Sequence, residues 1–323
     1  MFCCSAGAAI YVSGAGSDAT GDGSEANPYR SLTHAIASRG TDTEIRAAAG
    51  SYDAANGEAF PIAVPGGVSI TGTRGADDTA ATSSVVDAGG TARMFDLSAM
   101  GTLRNLVMTG ALGNTVAATS CTLTIDNCVI TNVTDAAVTE FASAIYCPKT
   151  VLNLLNTTIR DITTPSARHI VGIGQSGSKL TVSGCAFRNL RCGGGNYGDG
   201  ILTMGWEYFG GTGGMVSATI SDTVFDNIYS AQTWRPDGGM VIIWDVPFTV
   251  ERCVFRNITC PYYVLNYRGW GGYIVNVRDS LFYNNQTGDF GSANRDSGPI
   301  VLRNCTFDNC STVSRIERSD AKL

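Results

Sequence analysis

The sequence is poor in charge, and above all in lysine. Charged residues make up 15% of the 323 positions, and only Lys149, Lys179 and Lys322 are lysines among the 22 basic residues. With a net charge of −6 the chain lacks the basic stripe that binds nucleic acid, so we expect no nucleic-acid partner. No apolar run approaches the ~18 residues of a membrane-spanning helix, so we expect no membrane span. Residues 1–9 have neither a basic start nor an apolar stretch long enough for a signal peptide, which predicts a missing leader or a fragment.

A short phrase recurs seven times between residues 123 and 307. Each copy has two apolar residues two positions apart, then a polar pair, a small residue and a further apolar residue. Its aligned columns are Ile125, Leu154, Val182, Ile220, Val250, Val277 and Leu302; Cys128, Thr157, Cys185, Thr223, Cys253, Ser280 and Cys305; and Ile130, Ile159, Phe187, Phe225, Phe255, Phe282 and Phe307. Alternation with a period of two predicts strands with one buried face, and the self-similarity predicts a solenoid of stacked coils.

The copies are spaced unevenly, by 25 to 38 residues along the Cys/Thr/Ser column. A coil of short strands absorbs insertions in its loops, so this pattern favours an all-β fold, a parallel β-helix. Because a solenoid grows as one array, we expect a single domain over residues 1–323, with cap and first strands at 1–50 and regular coils at 100–312. In the cap, residues 28–38 predict a short helix that buries Leu32, Ala35 and Ile36.

Two polar columns follow the strands. The first predicts a left-handed bend in each coil, since its residue types tolerate positive φ. Its members are Asn127, Asn156, Gly184, Asp222, Asp279 and Asn304, with Arg252 as the exception. The second predicts side-chain amides bonded along the stack. Its members are Asn132, Asp161, Asn189, Asn227, Asn257, Asn284 and Asn309.

The chain has eleven cysteines, and four of them belong to the small-residue column. Those four alternate with Thr or Ser, so they lie two coils apart, about 9.6 Å at a strand spacing of about 4.8 Å. A disulfide needs Cα atoms within ~7 Å, so we expect buried packing residues instead. Cys121 and Cys147 fall near each other on adjacent coils and could pair.

The N-terminal region carries a family resemblance. Residues 10–18 (IYVSGAGSD), 21–28 (GDGSEANP), 31–36 (SLTHAI) and 49–52 (AGSY) resemble the opening of right-handed parallel β-helix proteins of the pectin/pectate-lyase-like superfamily. They are most similar to the N-terminal domain of unknown function found in many secreted bacterial members. The resemblance implies a right-handed parallel β-helix, an extracellular or cell-surface location and a polysaccharide or glycan partner. It leaves the activity open, because lyases, hydrolases, epimerases and non-catalytic surface proteins share the fold.

In the superfamily a further strand precedes the repeated phrase, and the ligand groove usually runs along that sheet. Here the resemblance implies these strands at 143–146, 170–173, 201–204, 240–244 and 263–267. Insertions at 191–200 and 206–216 would wall a cleft around one of them. Sugar-binding clefts combine aromatic faces with a few polar groups. The predicted substrate-binding residues are Trp206, Glu207, Tyr208, Trp244, Asp245, Arg268 and Trp270; alternatively, their rings shield coil edges.

Asp199 and Asp237 occupy matching Gly-flanked positions one coil apart, which predicts a spacing near ~5 Å. Two carboxylates this close together would have separated pKa values and could serve as acid and base. In a lyase of this superfamily, Arg235 or Arg268 would have to serve as the base. Ordinary turns are the alternative, and calcium binding is another. Asp18, Asp22 and Glu25 form a second candidate calcium loop. No other metal and no cofactor is predicted.

The enzyme signatures of the superfamily are incomplete. No lysine lies in the predicted groove, and the phrases typical of polygalacturonases are missing. Asp77–Asp78 is an Asp pair, but it lies in an early turn without the other residues of those phrases. Two hypotheses follow. The first is a non-catalytic secreted or cell-surface β-helix that binds polysaccharide in a groove along one sheet. The second is a polysaccharide lyase or glycoside hydrolase that acts in the same groove.

Overall fold

A computed structural model describes residues 9–134, 142–164, 169–192, 200–205, 215–230, 239–244, 246–268, 273–293 and 299–311. They wind into a right-handed parallel β-helix, as predicted, and its strands form three rows. The first row contains β1 (Ile10–Val12), β2 (Glu44–Ala47), β5 (Ser69–Thr71), β8 (Gly101–Arg104), β11 (Thr122–Asp126), β14 (Val151–Leu155), β17 (Lys179–Ser183), β20 (Ser217–Ser221), β23 (Phe248–Glu251), β25 (Val275–Arg278) and β28 (Ile300–Arg303).

The other two rows share one hydrogen-bonded sheet. The second row contains β3 (Gly50–Asp53), β6 (Ser84–Asp87), β9 (Leu106–Thr109), β12 (Val129–Thr131), β15 (Thr158–Thr164), β18 (Ala186–Cys192), β21 (Val224–Ser230), the first half of β24 (Val254–Arg268), β26 (Leu281–Tyr283) and β29 (Thr306–Asp308). The third row contains β4 (Ile62–Val64), β7 (Phe95–Leu97), β10 (Val116–Ala118), β13 (Ala142–Pro148), β16 (His169–Gly174), β19 (Gly200–Met204), β22 (Gly239–Trp244), the second half of β24, and β27 (Gln286–Ala293).

The apolar columns of the sequence form the core in register. Ile125 pairs with Leu154, which pairs with Val182, and all three are fully buried. The phenylalanine rings stack from Phe187 to Phe307, with centroids 4.7–4.8 Å apart and planes within 11°. This spacing equals that of the strands, so each coil buries its apolar side chains on the next.

Both polar columns behave as the sequence predicts. The bend residues of the first column have φ between 48° and 66°, and Arg252, the exception by type, shares this conformation at 52°. In the second column, amides bridge successive coils, as from Asn227 Nδ2 to Asn189 Oδ1 at 2.9 Å and from Asn284 Nδ2 to Asn257 Oδ1 at 2.8 Å. The bends therefore have a conformational and a hydrogen-bonding reason for their residue types.

The cysteine column is buried and free of disulfides. Cys128, Cys185 and Cys253 each place Sγ near two main-chain carbonyls, and the Thr157 and Thr223 hydroxyls of intervening coils donate to equivalent carbonyls. Cys121 and Cys147 are also free. These side chains act as small packing residues that can satisfy a buried carbonyl.

The cap helix α1 runs from Leu32 to Ser38, so the prediction that it begins at residue 28 is wrong. The Ser31 hydroxyl accepts a hydrogen bond from His34 N and fixes the N-cap. Buried Glu58 accepts from Leu32 N at 2.6 Å and Thr33 N at 2.9 Å, which satisfies two more N–H groups of the first turn. In the part of the chain that the structure describes, no helix is long and apolar enough to cross a membrane.

Candidate functional site

A loop between the first and second rows lies along the outside of the β-helix. This loop, residues 72–83, connects β5 to β6 and is called the strap. Its turn is braced internally, because Asp77 accepts hydrogen bonds from Thr79 N and from the Thr82 hydroxyl, and Gly75 N donates to Ser83 Oγ at 2.9 Å. A braced loop holds its side chains in defined positions, as a binding site requires.

The strap reaches across several coils. Arg74 Nη1 donates to Asn127 Oδ1 at 2.8 Å, and Arg74 Nε pairs with Asp78 at 3.2 Å. Asp78 in turn lies 3.5 Å from Arg160 Nη2, and Arg160 Nη1 pairs with Asp161 at 2.6 Å. Asp78 has φ of 56°, so its carboxylate is carried by a left-handed residue. Side chains of the strap thus reach past β9 to the bend before β12 and to Arg160 on β15.

Beneath the strap lies a groove with a volume of about 340 Å³. Its lining residues are Asp77, Asp78, Val85, Val107, Thr109, Thr131, Asn132, Arg160 and Asp161. Val85 and Val107 are paired neighbours on β6 and β9 and provide an apolar floor. Carboxylate, amide, guanidinium and hydroxyl groups surround that floor, and Asn132 Nδ2 is bonded to Thr109 Oγ1 at 3.2 Å.

Two carboxylates of the groove, those of Asp77 and Asp161, have lowered pKa values. Hydrogen bonds from Thr82 and Thr79 N lower the pKa of Asp77. Partial burial raises the pKa of Asp161, but the Asn189 amide and the Arg160 guanidinium more than offset it, so the pKa lies below its ordinary value. Both groups therefore carry charge at neutral pH and can accept, but not donate, hydrogen bonds.

The groove opens onto a polar column along the second row. Thr109, Thr131 and Arg160 occupy consecutive registers, and the column continues through Arg188, Asp226 and Arg256. Asp226 pairs with Arg256 at 2.7 Å. Close by, the Arg191 guanidinium lies 5.6 Å from the centre of the Tyr229 ring. Polar side chains thus follow the axis at the strand spacing of about 4.8 Å.

The third row, where the family resemblance implies a ligand groove, has strands close to the predicted bounds. Its strands β16, β19 and β22 are buried along their whole length. Trp244 ends β22 and is 8% exposed. Arg268 ends β24. The remaining predicted site residues lie outside the described residues: Asp199, Asp237, Arg235, Trp206, Glu207, Tyr208, Asp245 and Trp270.

The groove beneath the strap was not predicted from the sequence. In the sequence, Asp77 and Asp78 form an isolated pair, and Asn132 and Asp161 belong to the amide column. The sequence feature that could have indicated the site is the length of the β5–β6 connection. Polar residues in a long loop beside a regular stack are not needed to pack the core. Among described residues, no group of three or more His, Cys, Asp or Glu side chains is arranged to hold a metal ion.

The family profile described as "Protein of unknown function (DUF1565)" matches residues 14–184. The chain belongs to this family. The match confirms the resemblance seen in the N-terminal region and supports a pectate-lyase-like parallel β-helix. It also contains the whole strap and every residue that lines the groove. No curated protein matches the chain.

Several solved structures are similar to the chain at low identity. Polygalacturonase from Erwinia carotovora ssp. carotovora is 11% identical with a TM-score of 0.42, over 98% of this chain and 97% of that one. GH136 lacto-N-biosidase from Eubacterium ramulus is 11% identical with a TM-score of 0.44, over 98% and 68%. The catalytic domain of GH87 α-1,3-glucanase in complex with nigerose is 10% identical with a TM-score of 0.36, over 91% of this chain and 66% of that domain. The likeness to these proteins is one of fold alone.

Proposed function

We propose that this protein is a secreted or cell-surface β-helix that binds a polysaccharide, without cleaving it, in the groove beneath the strap. The observation that supports this most is the lining of the groove, where two valines form a floor between hydrogen-bonding side chains of four kinds. Sugar rings present apolar C–H faces and a rim of hydroxyls, so a small apolar floor with a few fixed polar groups suits them.

The charges of the groove favour a neutral sugar. Three aspartates and one arginine line it, and that arginine is already paired with Asp78 and Asp161. A uronate would meet a surplus of negative charge, which costs free energy in a partly desolvated site. Neutral hydroxyls, in contrast, can donate to the carboxylates and accept from the Asn132 amide and the Arg160 guanidinium.

The lowered pKa values of Asp77 and Asp161 support binding rather than catalysis. A glycoside hydrolase needs one carboxylic acid whose pKa is raised, so that it is protonated before it donates to the leaving oxygen. The pKa values of Asp77 and Asp161 are lowered instead. Neither residue is therefore equipped to act as the general acid at neutral pH.

The test is affinity electrophoresis of the protein in gels that contain xylan, mannan, β-glucan, α-1,3-glucan, polygalacturonate or alginate. We expect retardation by at least one neutral polymer. Asn132→Gly keeps the left-handed backbone but removes the amide, and its loss of one or two hydrogen bonds should weaken binding about tenfold. Asn284→Gly is the matched control, because it makes the same change in the same column away from the groove. Equal effects of both variants, or no retardation by any polymer, would contradict the proposal.

The enzyme hypothesis is kept as a second candidate because of one contact in the third row. The buried His169 ring lies with Nδ1 2.7 Å from Thr203 Oγ1, and His169 pairs with Gly200, the residue that follows Asp199 in the sequence. A titratable ring at that position would suit a cleft formed by the predicted residues. Incubation with the same polymers, followed by assays for reducing ends and for unsaturated products, separates the two candidates.

A further inference from the structure

A second concave surface lies on a different face, at the N-terminal end of the first row. It has a volume of about 430 Å³ and is called the trough. Its lining residues are Tyr11, Val12, Ser13, Glu25, Pro28, Arg46, Ala47, Ala48, Thr71, Gly72 and Thr73. It crosses β1, β2 and β5, because Tyr11, Arg46 and Thr71 are consecutive partners in the sheet.

The wall of the trough is fixed to the sheet. Residues 13–28 fold back over the edge of β1, where Tyr11 N donates to Gly23 O at 2.8 Å and Ser13 N donates to Tyr29 O at 2.9 Å. Tyr29 N in turn donates to Tyr11 O at 3.0 Å, so Tyr29 is hydrogen-bonded to the β1 segment through both its N–H and its carbonyl. Glu25 and Pro28 therefore face the strands from a loop that is hydrogen-bonded at both ends.

The trough contains an aromatic ring, that of Tyr11, and a cation held beside it, the Arg46 guanidinium. The Arg46 guanidinium carbon lies 5.7 Å from the centre of the Tyr11 ring, and Arg46 Nη1 donates to Tyr11 Oη at 3.2 Å. Arg46 Nε is bonded to Glu44 at 2.8 Å. Tyr11 is half-buried, so its ring is ordered by these contacts while part of its surface stays accessible. An aromatic side chain that is already ordered loses little entropy when it binds a ligand.

The charges of the trough select among sugars. Arg46 is neutralised by Glu44, whereas Glu25 makes no ion pair with any described residue. A uronate or a sulfated sugar would thus meet an uncompensated carboxylate. A neutral pyranose could place one face on the Tyr11 ring and bond its hydroxyls to Ser13, Thr71 and Thr73.

We propose that the trough is a second, independent site for a neutral oligosaccharide, which makes the protein bivalent. This inference rests on the proposed function only in sharing its ligand class. The two sites lie on different rows, and the strap borders both, with Gly72 and Thr73 in the trough and Asp77 and Asp78 in the groove. Two sites on separate faces can hold two strands of a polysaccharide at once, and polymer binding gains from the high effective concentration of the second site.

The test is isothermal titration of the protein with cellohexaose, xylohexaose, laminarihexaose and maltohexaose. At least one should bind with a stoichiometry of two. Tyr11→Ala should reduce the stoichiometry to one and leave the remaining affinity within twofold, and Asn132→Gly should weaken the other site about tenfold. Tyr283→Ala, which removes an exposed tyrosine at the far end of the stack, is the matched control and should change nothing.

The outcomes separate the two proposals. A stoichiometry of one that responds to Asn132→Gly but not to Tyr11→Ala would overturn the trough and keep the groove. A stoichiometry of one that responds only to Tyr11→Ala would keep the trough as a site and overturn the groove. A single site weakened by both variants would mean that the groove and the trough form one continuous site, which would overturn the proposal of two independent sites. No binding at all would overturn both proposals. Tetragalacturonate that binds the trough as well as the neutral sugars do would overturn the assigned ligand class.

Discussion

Asp78 and Arg160 are 82 positions apart in the chain, yet their side chains lie 3.5 Å apart across three coils of the β-helix. This contact joins the middle of the strap to β15, and both residues line the groove. Arg160 is shared, because its other Nη atom pairs with Asp161. A partly exposed pair of this kind contributes little stability, about 0–1 kcal/mol, so its main effect is to position the strap.

The first prediction concerns that anchor. Asp78→Asn should leave the unfolding temperature within about 2 °C of the wild type, because exposed ion pairs are weak. It should free the strap, however, and trypsin should then cleave after Arg74 several times faster. Timed digestion with mass spectrometry measures this. Asp222→Asn is the control, since it breaks the pair with Arg252 elsewhere on the surface. Equal cleavage rates in both variants would show that Asp78 does not hold the strap.

The second prediction concerns the phenylalanine stack. Phe255 is fully buried with a ring on each side at 4.8 Å, so Phe255→Ala leaves a cavity inside the stack. The free energy of unfolding should fall by about 3–5 kcal/mol in urea titrations. Tyr283→Ala removes a similar ring from an exposed position and should cost at most about 0.5 kcal/mol. A small loss in Phe255→Ala would argue against tight packing between coils.

The third prediction separates the two roles of the amide column. Asn227 has φ of 54° and donates to Asn189. Asn227→Ala loses both the amide and a residue that tolerates this conformation, whereas Asn227→Gly loses only the amide. Asn227→Ala should therefore be less stable than Asn227→Gly by about 1–2 kcal/mol, the cost of a left-handed β-carbon. If urea titrations find the two variants equal, backbone conformation does not explain the column.

The fourth prediction concerns pH. Burial raises the pKa of Asp18, but hydrogen bonds from the Ser31 hydroxyl and from the N–H groups of Ser31 and Arg30 leave it below its ordinary value. A lowered folded pKa means that the unfolded chain binds the proton more readily, so this stabilisation is present above the ordinary pKa of 3.8 and is lost as pH falls through the folded value.

Urea titrations between pH 2.5 and pH 7 test the sign. Asp18→Asn should lower stability at neutral pH and flatten the loss of stability below about pH 4. Asp279→Asn serves as the control, because it also removes one carboxylate, at a bend where other coils carry Asn. A slope that Asp18→Asn leaves unchanged would mean that other carboxylates govern the acid transition.

The fifth prediction concerns the cysteine column. Burial raises the pKa of Cys128 to about 12 and those of Cys185 and Cys253 to about 11, so their thiolates are scarce at neutral pH. Brief alkylation with iodoacetamide should label Cys121 and Cys310, which are partly exposed, well before these three. Peptide mapping resolves each site. Early labelling of Cys185 in the folded protein would contradict its burial.

The repeated phrase predicted the coils because each of its positions has a local reason. Ile125 and Phe255 must face inward, Asn127 must turn, and the neighbouring coil meets the same demands one strand spacing away. The start of α1 was misplaced because two polar groups decide it, the hydroxyl of Ser31 and the carboxylate of Glu58. Glu58 is 26 positions from Leu32, from whose N–H it accepts a hydrogen bond, so the hydrophobic periodicity of the helix cannot indicate this contact.

The groove could not be predicted from the sequence for a similar reason. Its strap contacts β15 through side chains that belong to no repeat, and such contacts are set by the path of a single loop. The candidates that the sequence predicts lie mostly in other insertions, which are rich in aromatic and acidic residues. Asp199, Asp237 and Arg235 therefore stay a prediction, and Trp244 shows that an aromatic residue at the end of a strand can instead be buried.

Because the strands stack in register, the β-helix can gain or lose whole coils. Both concave surfaces draw their lining from residues no further along the chain than Asp161. A coil inserted or deleted downstream would shift the rest of the stack by about 4.8 Å and would leave every lining residue in place. The number of downstream coils can therefore change while the lining of the groove and of the trough stays the same.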